Sequence, residues 1–407
     1  MAGNLRRTKL KGWFEFYREI CPVCGKRGGC MINEKGDTVV CIRIESNIVF
    51  SRNFPSWVHS LKKKRTMAVS EIEGTHIEGH PKKDEYTLNR VYRSLLNNTI
   101  LTNNHYEHLR NRGMTDTEIF SRQYRSFPEK PWEVTKLIAL ELNQPTFEGI
   151  PGFFENQYGW TIAGSQGILI PYRNIKNEII GFQTRVDNIF YDVEINPGSI
   201  PGLQARVKEQ PNLVQIMVDG EIIKEVELEV KKKFPVYHGN GVGFVTLVKG
   251  QRYFWLSSAK KTNGTGQGNP LPIHIAVPTY KLQSWKSGTI KAKSVWITEG
   301  ALKADIAAEH VCKVFGEKRG DTFIAIPGVN TWRAILPYLK KIEAETVYIA
   351  FDMDLLENPQ VLYHLKQLSL ALKNEGYDAF LVIWNPDDGK GIDDMFTNKK
   401  IPSFKKI

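Results

Sequence analysis

SVWITEG, residues 294–300, is a short apolar run that ends on a carboxylate and a glycine, and the same pattern returns downstream. TFIAI (322–326), TVYIAF (346–351) and AFLVIW (379–384) are equally short, apolar and rich in branched or aromatic residues. That composition suits strands buried on both faces of a parallel sheet. Between them lie helical stretches, the clearest being VLYHLKQLSLALKNEG (361–376), where Val361, Leu365, Leu368 and Leu372 recur at helical spacing and Gly376 supplies a stop. Four strands with crossover helices predict a four-stranded parallel α/β domain over residues 291–407.

In an open parallel sheet, ligands gather at the carboxyl ends of the strands. Glu299-Gly300 follows the first strand, Asp352-Met353-Asp354 the third, and Gly391-Ile392-Asp393-Asp394 lies beyond the fourth. Residues two apart on an extended segment point the same way, so Asp352 and Asp354 are expected to grip one divalent cation as Glu299 approaches from the neighbouring strand. Hard oxygen ligands favour Mg²⁺ or Mn²⁺, which clamps triphosphate oxygens, activates an attacking hydroxyl and stabilises departing pyrophosphate. A single acid at a strand end is ordinarily a helix cap or a solvated loop residue. Acids at three strand ends argue for a catalytic metal site.

The set ITEGALKADIA, IPGV, IAFDMD and KGIDDM resembles the Toprim domain shared by DnaG-type primases, type IA and II topoisomerases and some nucleases. The resemblance implies that Glu299, Asp352 and Asp354 are catalytic and bind the metal, and that Asp393 and Asp394 correspond to the later acidic pair that helps primases hold a second ion. That pair departs from the family's Asp-Pro-Asp.

Upstream residues narrow the resemblance to primases. HLRNRGMTDTEIFSRQYRSFP is similar to the segment that opens the primase RNA polymerase domain, with Arg112-Gly113 on its Arg-Gly. GILIPYRNIKNEIIGFQTRVD resembles a primase strand pair, placing Arg173 and Arg185 on its two arginines, and RYFWLSS looks like the segment that follows. Together the resemblances cover most of residues 105–398. A template-directed polymerase needs cations opposite its metal to hold phosphates, and arginine forks do this well. Arg112, Arg173, Arg185, Arg252, Lys260 and Lys303, the last one helical turn after Glu299, are the nucleic-acid and nucleotide-binding candidates.

At the other end of the chain, CPVCGKRGGC and the Cys41 that follows gather four of the five cysteines: Cys21, Cys24, Cys30 and Cys41. A close first pair with glycines behind it is a knuckle that lets two thiolates converge, and two more complete a tetrahedral structural zinc site. Bound zinc supplies folding energy that a short module lacks. DnaG-type primases carry a zinc ribbon here, with a second close cysteine pair, and use it to select the template start; in this chain the second pair is split. Lys26, Arg27, Arg43 and Arg52 suit phosphates, and Phe50, Phe54 and Trp57 serve either base stacking or the module's core.

The expected organisation is a zinc module over residues 1–66, a linker over 67–104, a basic α+β subdomain over 105–290 and the Toprim domain over 291–407. An insertion over about 188–250 has no counterpart in familiar primases. It carries β-hairpin signals at Asp219-Gly220, as does the strand pair around Lys176-Asn177, while the Gly/Asn/Thr-rich stretch Lys260 to Pro270 reads as a mobile loop. The 407 residues carry a net charge of +11, which suits a polyanionic partner. No apolar run is long enough to span a bilayer and no signal core opens the chain, so a cytoplasmic protein without membrane contact is expected.

The resemblance implies a nucleotidyltransferase, a DNA-directed RNA polymerase that makes short RNA primers on single-stranded DNA from nucleoside triphosphates. No GxxxxGK[ST] loop occurs, so any helicase would be a separate protein. The missing helicase and helicase-docking segments point to a phage, plasmid or other mobile element. Two alternatives stand beside this reading: a Toprim nuclease or topoisomerase-like enzyme that cleaves DNA, and a non-catalytic zinc/Toprim DNA-binding factor of replication or recombination.

Overall fold

In the computed structural model, which describes residues 5–8, 10, 12–51, 55–61, 72–73, 80–353 and 359–407, strand Ser294–Glu299 pairs in parallel with Thr322–Ile326 on one side and Thr346–Ile349 on the other. Asp378–Ile383 continues the parallel order beyond Thr346–Ile349. Antiparallel edge strands, His274–Ala276 and Ser403–Lys406, extend the expected four strands to six. Trp296 is fully buried at the centre, stacked on Tyr348 at 4.7 Å and on Phe323 at 5.6 Å. Helices Ala301–Phe315, Leu336–Ile342 and Pro359–Asn374 contribute to the same core, the last through Val361, Leu365, Leu368 and Leu372. Truncating a side chain as large as Trp296 to alanine would cost about 3–5 kcal/mol.

The expected boundary at residue 291 is corrected by strand His274–Ala276, which belongs to this sheet. Three residues among prolines carry too little periodicity to be recognised as a strand. The expected linker over 67–104 is also too long, because helix Glu85–Asn97 lies inside it and buries Leu88, Val91, Tyr92, Leu95 and Leu96. Asp84 caps that helix, its carboxylate accepting from the Thr87 amide at 3.0 Å.

The middle of the chain is built on an antiparallel sheet of Arg125–Ser126, Gly167–Arg173, Ile179–Val186 and Tyr253–Trp255. It joins the parallel domain through a shared apolar cluster in which Leu109, Ile119, Ile168 and Tyr172 meet Ala301, Leu302 and Ile306. The insertion forms two three-stranded sheets around its own core, which includes Val193, Val214, Ile216, Val245 and Leu247. Its predicted hairpin is present, with Asp219 and Gly220 both at positive φ between strands Leu213–Val218 and Glu221–Glu227.

The Lys260 to Pro270 stretch is not a loose loop. Thr265 is fully buried, its amide held by Ser258 Oγ at 2.9 Å, and Gly264 approaches the Ser258 carbonyl so closely that a Cβ would stand 1.9 Å from it. Backbone polar contacts here replace the apolar residues whose absence suggested mobility.

The cysteine module is a seven-stranded mixed sheet at one edge of which strand Ile72–Glu73 pairs in parallel with Leu5–Arg7. Its partners are ion pairs from Lys26 to Glu194 (2.9 Å) and Arg27 to Asp192 (3.0 Å) on the insertion. On the parallel domain, Trp57 meets Tyr363 edge-on at 5.9 Å. No described helix is long and apolar enough to cross a membrane.

Candidate active site and metal centre

The four cysteines converge, all four sulfurs lying within 4.8 Å of one another. Cys30 Sγ is 3.7 Å from Cys24 Sγ and 3.7 Å from Cys41 Sγ. A tetrahedron with metal–sulfur bonds near 2.3 Å has edges of about 3.8 Å, so the spacing fits zinc. The split second pair is no obstacle, because the hairpin of Met31–Asn33 and Thr38–Cys41 folds the intervening ten residues back on themselves. Amides of Arg43 (3.4 Å) and Ile44 (3.3 Å) point at Cys41 Sγ, and the Arg43 guanidinium donates to Cys30 Sγ at 3.4 Å and Cys24 Sγ at 3.6 Å. These donors offset the surplus negative charge of a four-thiolate centre.

Several cations expected to face DNA are therefore engaged within the protein. Arg43 serves the sulfurs, Lys26 and Arg27 the insertion, and Trp57 is buried against Tyr363. Phe50 packs on Trp13 at 5.5 Å, while Arg52 and Phe54 lie outside the described residues.

At the carboxyl edge of the parallel sheet, Glu299 closes its strand and Gly300 turns into helix Ala301–Phe315 with φ +82°. Asp352 is buried, and the Met353 amide bonds the Lys390 carbonyl at 3.2 Å, which draws the third strand's exit to the loop before helix Ile392–Thr397. Asp354 lies outside the described residues. Asp393, 1% exposed, pairs through Oδ2 with Arg112, while its buried Oδ1 has no hydrogen-bond partner. Burial pushes its carboxyl up against the opposing pull of Arg112. Asp394 is exposed and accepts from the Gly391 amide at 3.3 Å, closing the first turn of its helix. Of this acidic pair, then, Asp393 is the one turned inward.

Lys303 stands among these acids, its Nζ 2.5 Å from both carboxylate oxygens of Asp352. Burial opposes its charge, but Asp352, Asp393 and Glu299 outweigh that and raise its pKa. Among the described residues the acids do not form a closed cage: the cysteine quartet is the one group of three or more possible ligands within mutual 4.8 Å reach. The orphaned Asp393 oxygen and the hard carboxylate set nevertheless fit an oxygen-seeking divalent ion.

Beside the acids lies a cluster of cations. Arg112, at the C-cap of helix Asn103–Asn111, links the two through its ion pair to Asp393. Gly113 follows at φ +84°, close against Thr397. Arg185, opposite Tyr253 in the antiparallel sheet, is 9% exposed and leaves its Nε buried without a partner. His108 lies between Arg185, Arg112 and Arg252: burial first, then these three charges, lowers its pKa to about 4, and its buried Nε2 has no partner. An orphaned arginine donor and an unpartnered imidazole nitrogen amid surplus positive charge suit an anion.

Two expected members belong elsewhere. Arg173 is buried, giving its guanidinium to Asn177 Oδ1 (3.0 Å), Gln123 Oε1 (3.0 Å) and the Arg122 carbonyl (3.1 Å), with burial lowering its pKa to about 10. It buttresses the fold, its guanidinium already spent on these three acceptors. Lys260 donates to Tyr17 Oη at 2.9 Å and lies over that ring, so it ties the cysteine module to the core.

Sequence reasoning missed the polar centre between the two halves. Asp305, 3% exposed, forms an ion pair with Arg122 Nη1 (3.1 Å) and accepts from Tyr124 Oη (2.6 Å) and His274 Nε2 (3.1 Å). Glu309 accepts from Arg122 (2.7 Å) and the Thr279 amide (2.7 Å). One signal was present, since Asp305 and Glu309 stand four apart in an alanine-rich helix and so share a face.

Residues 285–402 match the family described as Domain of unknown function (DUF3854). The chain matches none of the curated proteins. Among solved structures it is similar to the zinc-binding and RNA polymerase domains of the Aquifex aeolicus primase, at 12% identity over 97% of this chain and 77% of that one, with a TM-score of 0.43. It is also similar to the RNA polymerase domain of Mycobacterium tuberculosis primase DnaG in complex with an overhanging double-stranded DNA oligomer, at 12% identity over 78% and 77% of the two chains (TM-score 0.43). A DnaG primase catalytic domain bound to ssDNA is similar at 11% identity over 78% of each chain, with a TM-score of 0.42.

Proposed function

We propose that this chain is a primase, a nucleotidyltransferase that starts RNA primers on single-stranded DNA. The observation that carries the reading is the Arg112–Asp393 ion pair, which sets an acidic metal-binding edge directly against a cluster of cations with orphaned donors. A nucleoside triphosphate needs both, a metal on its phosphate oxygens and cations around its remaining charge.

Glu299, Asp352, Asp354 and Asp393 would hold Mg²⁺ or Mn²⁺, which when bound supplies charge neutralisation of the triphosphate and activation of the attacking hydroxyl. Arg185, Arg252 and His108 would receive the phosphates. His108, neutral at physiological pH, contributes a hydrogen bond rather than a charge. Arg112 aligns Asp393. The cysteine quartet holds structural zinc, and the module around it presents the template.

Purified protein, single-stranded DNA, labelled ribonucleotides and Mg²⁺ or Mn²⁺ test it, run beside Asp352→Ala and Asp354→Ala. Short labelled products that vanish in both variants are expected. Cleaved DNA without primers would replace the reading with a nuclease, and DNA binding with neither product would replace it with a non-catalytic factor.

A further inference from the structure

We propose that a cleft between helix Glu85–Asn97 and the segment leading into the parallel domain binds a nucleoside phosphate, at a site separate from the acidic edge and its cations. The inference stands on a cavity that the proposed reaction does not use, and it does not depend on the primase reading.

The cleft holds about 590 Å³, within the size range of small-molecule sites. One wall is the start of helix Glu85–Asn97 with the turn of the hairpin between Gly167–Arg173 and Ile179–Val186. The other is the end of helix Thr279–Ser284 with the residues after it. Asn177, in the hairpin turn at φ +64°, ties the walls together. Its Nδ2 donates to the Trp285 carbonyl at 2.7 Å, its Oδ1 accepts from Arg173 at 3.0 Å, and its carbonyl accepts from Arg93 at 2.9 Å. Arg185 faces Ile168 across the hairpin, and Arg173 stands five residues further along that strand, a span of about 16 Å. The cleft and the cations beside the acids are therefore two places.

Arg93, Arg173, Lys176 and Lys286 line the cleft against a single carboxylate, Glu178. An exposed lysine is ordinarily solvated surface, but the two arginines are not exposed. Arg173 bonds only neutral acceptors, and so does Arg93, through Asn89 Oδ1 (2.9 Å) and the Asn177 carbonyl. Burial lowers the pKa of both, and after burial the charge of Arg93 is what weighs most against Arg173. Charges withdrawn from water are normally paired, so two neighbouring guanidiniums without a bonded carboxylate favour an anion, and their planar forks suit phosphate oxygens. The cleft also offers rings, with Tyr86 69% exposed on one wall and Trp285 on the other. A base has a π-face to stack on such a ring. Phosphate oxygens on the cations and a base on a ring make the ligand a nucleoside phosphate.

Photolabelling of the full chain with 8-azido-ATP, mapped by mass spectrometry, tests the site. Wild type is expected to carry label on peptides that contain Tyr86 or Trp285, and inorganic tripolyphosphate is expected to displace it. Lys176→Glu combined with Lys286→Glu, both at exposed positions, should reduce that label at least tenfold, while Arg185→Ala should retain it. Label confined to the acidic edge, no label at all, or label at Tyr86 or Trp285 that survives the double charge reversal would overturn the proposal. Displacement by a single-stranded oligonucleotide but not by tripolyphosphate would also overturn it, assigning the cleft to a nucleic-acid strand.

Discussion

Asp305→Ala removes the acceptor on which three buried donors converge, and its cost can be worked from the structure. Burial alone would push the Asp305 carboxyl up. Arg122 and the hydrogen bonds from His274 and Tyr124 outweigh it and hold the pKa at about 2. Holding the carboxyl that far below the usual carboxylate range corresponds to about 2 kcal/mol of folded-state stabilisation. Deleting the carboxylate costs more than this linkage term, because Tyr124, His274 and one arm of Arg122 are left buried without an acceptor. Breaking one partner of a buried pair typically costs about 3–5 kcal/mol. Glu309 still neutralises Arg122, so the lower half of that range is expected.

Urea unfolding followed by tryptophan fluorescence measures the loss, with hydrogen exchange localising it to helix Ala301–Phe315 and strand His274–Ala276. Because the folded pKa is depressed, the wild-type contribution is complete above about pH 4 and is lost as pH falls towards 2. The stability difference between wild type and variant must therefore shrink across that window. A loss below about 1 kcal/mol at neutral pH, or a difference that does not change with pH, would refute the assignment of Asp305 as the centre of the junction.

Zinc analysis should find one ion per chain, and Cys30→Ser should release it, with hydrogen exchange rising across residues 13–60 and not across the parallel sheet; retention of zinc by Cys30→Ser would remove Cys30 from the centre. Arg185→Ala should weaken nucleoside triphosphate binding at least tenfold, since its orphaned Nε marks the anion site. Binding within twofold of wild type, by equilibrium dialysis on the folded variant, would place the phosphates elsewhere.

Much of the fold was legible because local signals and tertiary demands agreed. Strand Ser294–Glu299 and its parallel neighbours are continuous apolar runs, as strands covered on both faces must be, and Gly376, at φ +82°, ends its helix where the periodicity stopped. Signals failed where they were short or indirect, as for the proline-flanked edge strand His274–Ala276 and the polar but packed residues 260–270.

The sequence by itself determined the parallel sheet, the carboxylates at its strand ends and the cysteine quartet, because strand burial, strand-end placement and thiolate spacing are local properties written in residue order. Tertiary structure alone decided which cations serve which partner. Arg173 and Arg185 stand on adjacent strands and look equivalent in sequence, yet one is spent inside the fold and the other keeps a buried Nε without a partner. Likewise Asp393 turns inward to Arg112, 281 positions away, while Asp394 caps its own helix. The direction of a charged side chain is set by the desolvation and pairing that distant segments impose, and no spacing along the chain encodes those.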